Sequence, residues 1–325
     1  MAGYQKYYER FWQYPRSFKN LDVDICHIID QSDGYLSHWL NHYQIPNVVT
    51  CHDLINLIKP ETFKGRSSFP LISMTAWKFA VQGMRVSNHV VAVSSHTKQD
   101  TVEHLGINPN RITVVPNAVD STFQFLPQEK IDLFRQQQGV TPNTLCLLNV
   151  GSNNSRKNIL TILKVIVILR AQDIPLLFWK VGADFNAEQK KFIDTHHLNN
   201  CVAHLGQPDK EMLVELYNSA DILLAPSLYE GFGLTALEAM ACGTAVITTN
   251  VTSIPEVVGN AAILTDPMDI DAISTEIQRL YHHPNERQDL VQRGLKRSKE
   301  FNWEDTAEQV ANIYEQVLYK DDGFA

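Results

Sequence analysis

Short apolar runs rich in Val and Ile alternate along this chain with longer amphipathic segments. Uninterrupted apolar runs mark a parallel sheet covered on both faces, because a strand with one wet face alternates in polarity instead. Four such runs, 23–29, 47–51, 89–93 and 112–115, fall in the first half. Six more, 145–150, 176–181, 201–205, 222–225, 245–248 and 262–264, fall in the second. Between them the periodicity predicts helices over 159–170, 210–220 and 270–281, and a polar amphipathic helix over 303–319. The stretch 125–143 holds Pro127, Gly139, Pro142 and a run of Gln, the chemistry of a linker. The reading is therefore an α/β domain at 1–125, a second at 143–302, and a helix at 303–325 that returns to the first domain. In open parallel sheets ligands bind where the chain leaves the carboxyl ends of the strands, so the residues after each strand are the candidates.

Composition narrows the function more than the fold. At 325 residues, 44% hydrophobic and 20% charged, the chain has material for two cores. A formal charge of −8 provides no basic face of the kind general nucleic-acid binding needs, so any phosphate has to be held by a local site. The five cysteines, Cys26, Cys51, Cys146, Cys201 and Cys242, are odd in number and spread through apolar runs. They read as buried thiols of a reducing compartment. No signal peptide is recognisable, and no apolar run approaches the roughly 20 residues of a membrane-spanning helix. The expected location is cytoplasmic, with peripheral membrane contact left open.

Two segments carry candidate chemistry. After the run 222–225 the chain reads Glu230-Gly231-Phe232-Gly233-Leu234 and enters a helix that carries Glu238. The glycines let backbone approach a ligand, and a helix start offers amide donors with a partial positive charge of about +0.5, which suits a diphosphate. The two carboxylates suit sugar hydroxyls, which donate hydrogen bonds to them. Taken alone, the same pair is as readily a helix cap and a solvated helix residue. The second segment, Gly151-Ser152-Asn153-Asn154-Ser155-Arg156-Lys157-Asn158, directly follows the run 145–150. Arg supplies a planar fork for phosphate oxygens and Lys a point charge.

Arg156-Lys157-Asn158, the Glu230 to Glu238 spacing within EGFGLTALE, the following EAMACGTAVI and the later Trp303 in FNWEDTA resemble retaining glycosyltransferases of family 4. The resemblance covers essentially the whole second half. It implies the GT-B fold, two Rossmann-like domains facing across a cleft, with a C-terminal helix crossing back to the first. It also implies transfer of a hexose, mannose or glucose, from a nucleoside diphosphate sugar to a hydroxyl of a glycan or lipid-linked acceptor. Gly151, Arg156 and Lys157 would hold the diphosphate, Glu230 would contact the sugar hydroxyls as a catalytic residue, and Glu238 would contact the ribose. Gly231 would belong to the donor-binding turn, and backbone amides of Phe232, Gly233 and Leu234 would face the leaving phosphate or the sugar. No cofactor and no metal are implied. In the first half, Val48-Val49-Thr50-Cys51-His52-Asp53-Leu54 is similar to the segment whose His faces the donor sugar, which makes His52 the second catalytic candidate.

The departures concern the acceptor side. Family members open with a strand and a Gly-rich turn, whereas between Met1 and Thr50 this chain has only Gly3 and Gly34, so the first domain reads as abridged. The opening carries Lys6, Arg10, Arg16 and Lys19 interleaved with Tyr7, Tyr8, Phe11, Trp12 and Tyr14. This pattern suits an aromatic helix face packed on the sheet. Contact with an anionic membrane or with a protein partner through residues 1–20 stays open beside it. His38 and His42 share the i, i+4 spacing of zinc ligands but have no third ligand nearby in sequence. Two further functions remain alongside transfer: a nucleotide-sugar-binding subunit that needs a partner for catalysis, and a sugar-nucleotide epimerase of similar fold.

Overall fold

The computed structural model describes residues 5, 8–60 and 70–319. They form two α/β units, Met1–Pro116 with Glu304–Ala325, and Asn117–Trp303. The first unit holds four parallel strands in the order β1-β2-β3-β4: β1 Cys26–Ile28, β2 Asn47–Cys51, β3 His89–Ala92 and β4 Ile112–Val114. The second holds six parallel strands in the order β10-β9-β8-β5-β6-β7. These are β5 Leu145–Gly151, β6 Leu176–Gly182, β7 Val202–His204, β8 Ile222–Leu224, β9 Ala245–Thr249 and β10 Ile263–Thr265. Each apolar run in the sequence overlaps one of these strands, β5, β6, β9 and β10 running one residue past the end of theirs. All residues of β2, β3, β8 and β9 are buried, which is why their sequences carry no polar alternation.

The strand order positions the site. From β5 the chain winds outward to β6 and β7, then returns to lay β8 against the other side of β5, with Leu147 opposite Ile222, and winds outward again to β9 and β10. The loops that leave β5 and β8 therefore emerge side by side at the switch point, where the connecting helices diverge to opposite faces and open a crevice. The helix Ile159–Ala171 is apolar almost all round because it is buried in the core of this unit with Leu145, Leu147, Ile222 and the helix Ile270–His282.

The segment 125–143 is not a free linker. Its helix Gln128–Gln137 packs in the second unit through buried Ile131 and Phe134, and Arg135 donates hydrogen bonds to the carbonyls of Ser219 and Thr144. The division between the units falls at Pro116 and Asn117. Two buried apolar positions on a mostly polar helix, whose Leu133 stays exposed, are enough to dock it, and they are easily lost among its glutamines. The helix Trp303–Tyr319 enters the first unit, where Ile313 is buried with Val48, Val91 and Val115. Tyr314 Oη lies 2.6 Å from His27 Nδ1.

The opening segment packs on the first unit as well. Phe18 joins its core, Phe11 lies 4.5 Å from the ring of Tyr35, and Arg10 pairs with Asp33 at 2.5 Å. Tyr8, Trp12 and Tyr14 stay about half exposed, with Arg16 stacked over Trp12. Lys6 and Tyr7, counted in the basic and aromatic opening, lie outside the described residues. No helix among the described residues is long and apolar enough to cross a membrane. All five cysteines are free thiols, and all but Cys26 are buried.

Candidate functional site

At the carboxyl edge of the second unit's sheet the cationic loop and the acidic turn meet. Arg156 Nη1 donates to Glu230 Oε2 at 2.7 Å and to the Tyr229 carbonyl at 3.0 Å, while Lys157 Nζ donates to Glu230 Oε1 at 2.6 Å. The three side chains are 74 residues apart at most but leave the adjacent strands β5 and β8. Burial alone pushes the Glu230 carboxyl up; Lys157 and Arg156, helped by a hydrogen bond from Ser227, outweigh it and hold the group below the usual carboxylate value. One carboxylate thus engages two cations, and each cation keeps donors to spare, since a guanidinium carries five N–H groups and an ammonium three.

The local backbone is built to bring these groups together. Asn154 caps the turn Ser155–Lys157 by accepting from the Arg156 amide, and the Arg156 carbonyl accepts from the Leu228 amide at 2.7 Å. Asn158 adopts the left-handed conformation, with φ 56°, and its amide group donates to the carbonyls of Pro226 and Pro267, tying three loops at once. Gly151 has φ 142°, and a Cβ there would lie 3.3 Å from Lys157 Cε. The glycine leaves the floor of the site bare.

The acidic turn is held from β9's side. Thr252 Oγ1 accepts from the Glu230 amide at 3.0 Å, and Ser253 Oγ donates to the carbonyls of Glu230 and Phe232 at 2.8 and 3.1 Å. Gly233, at φ 109°, opens the helix Leu234–Ala241, and any side chain there would strike Ile254 Cδ1 at 2.7 Å. Phe232 is buried against Phe301, Gly231 is half-buried, and Leu234 is exposed at the first turn. The helix therefore presents its start, with the partial positive charge it carries, on the same edge as Arg156 and Lys157.

Glu238 is not a solvated helix residue. Its Oε2 accepts from the hydroxyl of Tyr217 at 2.7 Å, and Tyr217 is fully buried, with its ring edge-on to Phe123. Burial raises the Glu238 carboxyl; the Tyr217 hydrogen bond opposes the rise without cancelling it, and nearby Asp120 adds to it. Asp120 itself pairs with Lys210 at 2.7 Å, which with the Thr122 hydroxyl and amide draws its carboxyl well below the usual range.

His52 belongs to the first unit, at the carboxyl end of β2. Its amide donates to Gln31 Oε1 at 3.0 Å and its ring Nε2 lies 2.9 Å from the Ile29 carbonyl, which makes Nε2 the protonated nitrogen. His38 stacks on Phe79, and among the described residues no group of three or more His, Cys, Asp or Glu is placed to hold a metal ion.

Sequence reasoning passed over Lys180, Tyr217, Thr252 and Ser253. Thr252 and Ser253 follow a strand and so fit the rule used for the other loops. Lys180 sits inside the apolar run FWKVG, where a charge is out of pattern. It is fully buried, donating to the carbonyls of Gly151 at 2.7 Å and Val181 at 2.8 Å. Burial, with the neighbouring charge of Lys157, pushes its ammonium down to about 8.

Residues 130–297 match the family described as Glycosyl transferases group 1, and residues 2–123 match Glycosyltransferase Family 4. The chain is 29% identical over 290 residues to O-antigen chain mannosyltransferase B of Escherichia coli, covering 86% of this chain and 74% of that protein. It is 25% identical over 311 residues to the serotype-specific mannosyltransferase WbdA of Escherichia coli, covering 92% of this chain but only 37% of the relative's length. With the MMP alpha-(1->4)-mannosyltransferase of Mycolicibacterium hassiacum the identity is 29% over 233 residues, 70% of this chain and 54% of that protein. In fold the chain is similar to sucrose-phosphate synthase from Thermosynechococcus elongatus, at a TM-score of 0.79 and 23% identity over 98% of this chain and 80% of that one. It is likewise similar to Anabaena HepE in complex with UDP, at 0.77 and 20% over 94% and 82%.

Proposed function

The chain belongs to the family 4 glycosyltransferases of GT-B fold, and on that premise we propose that it moves a hexose from a nucleoside diphosphate sugar to a hydroxyl acceptor with the anomeric configuration retained. The observation that carries the reading is the convergence of Arg156, Lys157 and Glu230 beside a glycine-opened helix start at the switch point of one sheet. Mannose is the first sugar to test, because three of the relatives above are mannosyltransferases by name. The base is open, UDP being the nucleotide bound in HepE.

In this reading the spare donors of Arg156 and Lys157, with the first-turn amides from Phe232 to Leu234, bind the diphosphate. They meet the charge that develops on it as the sugar departs, an electrostatic stabilisation by groups already in place. Glu230 keeps lone pairs for sugar hydroxyls. A carboxylate held by two cations is a weak base and a weak nucleophile, which fits an orienting role and speaks for same-face substitution without a covalent sugar-enzyme bond. The leaving phosphate then accepts the proton of the attacking hydroxyl. Glu238 accepts from the ribose through Oε1, and His52 orients the sugar.

A thermal-shift screen with UDP, GDP and ADP and their hexose conjugates identifies the donor, since ligand at 100 times its dissociation constant stabilises by about 2.7 kcal/mol. Arg156→Ala is expected to lose about 2 to 5 kcal/mol of donor or transition-state binding. Glu230→Gln and His52→Ala are expected to lose more turnover than nucleotide affinity. Turnover by Arg156→Ala at the wild-type rate would reject the assignment. Binding without turnover until a partner protein is added would instead mark a binding subunit, and conversion of the donor sugar with no acceptor present would mark an epimerase. The anomeric configuration of the product, read by NMR, decides retention.

A further inference from the structure

Lys180 is a fully buried lysine whose hydrogen-bond partners are two carbonyls. Lysine is almost never fully buried unless it is paired, because the desolvated charge needs a counter-charge. Among the described residues no carboxylate is paired with Lys180. The charged group that acts on it is a second cation, Lys157, reached around the bare backbone of Gly151. Lys180 Nζ bonds the Gly151 carbonyl, and Lys157 Nζ would lie 3.6 Å from a Cβ on that same glycine. Two ammonium groups converging on one glycine repel each other; Glu230 pairs with Lys157 but not with Lys180, so it offsets only part of that cost, and an anion within reach of both would lower it further. A tie between two strand ends needs a donor but not a charge, so tying β5 to β6 does not account for a lysine here.

We propose that Lys180 is a third cation of the diphosphate site, acting on the donor's phosphates from behind the Gly151 turn. The inference rests on the reading of Arg156 and Lys157 as diphosphate ligands and adds to it. Arg156 and Lys157 are in direct contact with one carboxylate, Glu230, so that pair leaves a single positive charge over. Lys180 adds a second positive charge on the Gly151 side of the site, away from Glu238, where it would act on the negative charge of the donor's diphosphate. Gly151 and Gly182 lie opposite each other in the β5–β6 register, and a side chain on Gly182 would meet the Gly151 carbonyl at 2.3 Å. Gly182 therefore has to be a glycine for the two strand ends to lie this close beside the Lys180 ammonium.

The test is calorimetric binding of UDP and GDP, each compared with its monophosphate and its nucleoside, to the full chain and to Lys180→Met, Lys180→Gln and Arg156→Ala. Both Lys180 variants are expected to bind the diphosphate that the wild type selects about tenfold more weakly, the scale of one charge acting through a partly polar interior. Nucleoside affinity should stay within about twofold, which a collapse of the fold would not allow. If diphosphate affinity is unchanged in both Lys180 variants while Arg156→Ala loses it, Lys180 is a strand tie and the proposal fails alone. If Arg156→Ala is silent too, the donor-site reading falls and takes the proposal with it. A measurement on the unaltered protein covers variants that do not fold. The titratable groups around Lys180 are Lys157 with Arg156 and Glu230 beyond it, and, on the neighbouring strand, His204, its partner in the β6–β7 register, which pairs with Asp184; a bound diphosphate raises the affinity of this cluster for protons. At about pH 8.5 the heat of UDP or GDP binding should therefore depend on the ionisation enthalpy of the buffer, through proton uptake. Heats independent of the buffer would overturn the proposal.

Discussion

Glu230 and Glu238 are the same residue type on one short stretch of chain, yet their surroundings drive them in opposite directions. Glu230, buried but held by Lys157 and Arg156, titrates below its ordinary value. Its pairing therefore contributes stability at any pH above the normal carboxylate value and is lost as pH falls through the lowered one. Glu238, buried with a single tyrosine hydroxyl, titrates above its ordinary value, so the fold bears the cost of its charge once pH rises through that raised value. The Tyr217 hydroxyl serves the charged form. Tyr217→Phe keeps the ring against Phe123 and is expected to cost about 1.5 to 3 kcal/mol at neutral pH, the range of a hydrogen bond to a charged group. The loss should shrink toward acid pH, where Glu238 is protonated with or without the hydroxyl. Urea unfolding of both proteins at neutral and at acid pH reads the difference, and an equal loss at both would mean that the hydroxyl only fills space.

At the scale of elements, the proposed donor site depends on how close two neighbouring strands come at their carboxyl ends. Gly151 and Gly182 face each other across β5 and β6, and Gly182 at φ 99° leaves no room for a methyl group. Gly182→Ala is expected to pay about 1 to 2 kcal/mol for its left-handed backbone and a further penalty for parting the strands. Gly206→Ala, at φ 68° with open space around its Cβ position, should pay the first cost alone. Thermal unfolding of the pair isolates the clash, and nucleotide affinity should fall only for Gly182→Ala. Much of this layer was legible from sequence. The strands announced themselves because burial on both faces removes the alternation of apolar and polar positions, and the loops after β5 and β8 carried Arg156, Lys157, Glu230 and the glycines in plain view. The order of the strands was not legible, since nothing in a local window states that β8 returns to the side of β5. Lys180 and Tyr217 were hidden for the same reason, as their partners come from other elements. The docked helix Gln128–Gln137 was hidden because, of its three apolar residues, only Ile131 and Phe134 face the core and Leu133 is exposed.

At the scale of the molecule, each unit has its own core, and the chain leaves the first unit only to return to it at the end. The return was legible as an amphipathic pattern over 303–319, but its partner was not, since one face of a helix does not name the surface that covers it. In the structure that surface is β2, β3 and the residue after β4: Ile313 is buried among Val48, Val91 and Val115, and Tyr314 bonds His27, which also bonds Thr50. The first unit's sheet is thus covered on this face by the last helix, and its stability depends on a segment far away in the chain. Ile313→Ala removes most of a fully buried side chain and is expected to cost about 2 to 5 kcal/mol, the range for such truncations in cores. If the units hold their cores separately, the cost falls on one of them. Amide hydrogen exchange should then accelerate through β2 and β3 and leave β5 and β8 unchanged, because exchange from core strands reports the opening of their own cooperative unit. Binding of the selected nucleotide, proposed for Arg156, Lys157 and the start of the helix Leu234–Ala241 in the second unit, should persist at the wild-type affinity. Equal acceleration in both sheets would mean that the two cores open together, and that the closing helix stabilises the whole chain instead of the first unit.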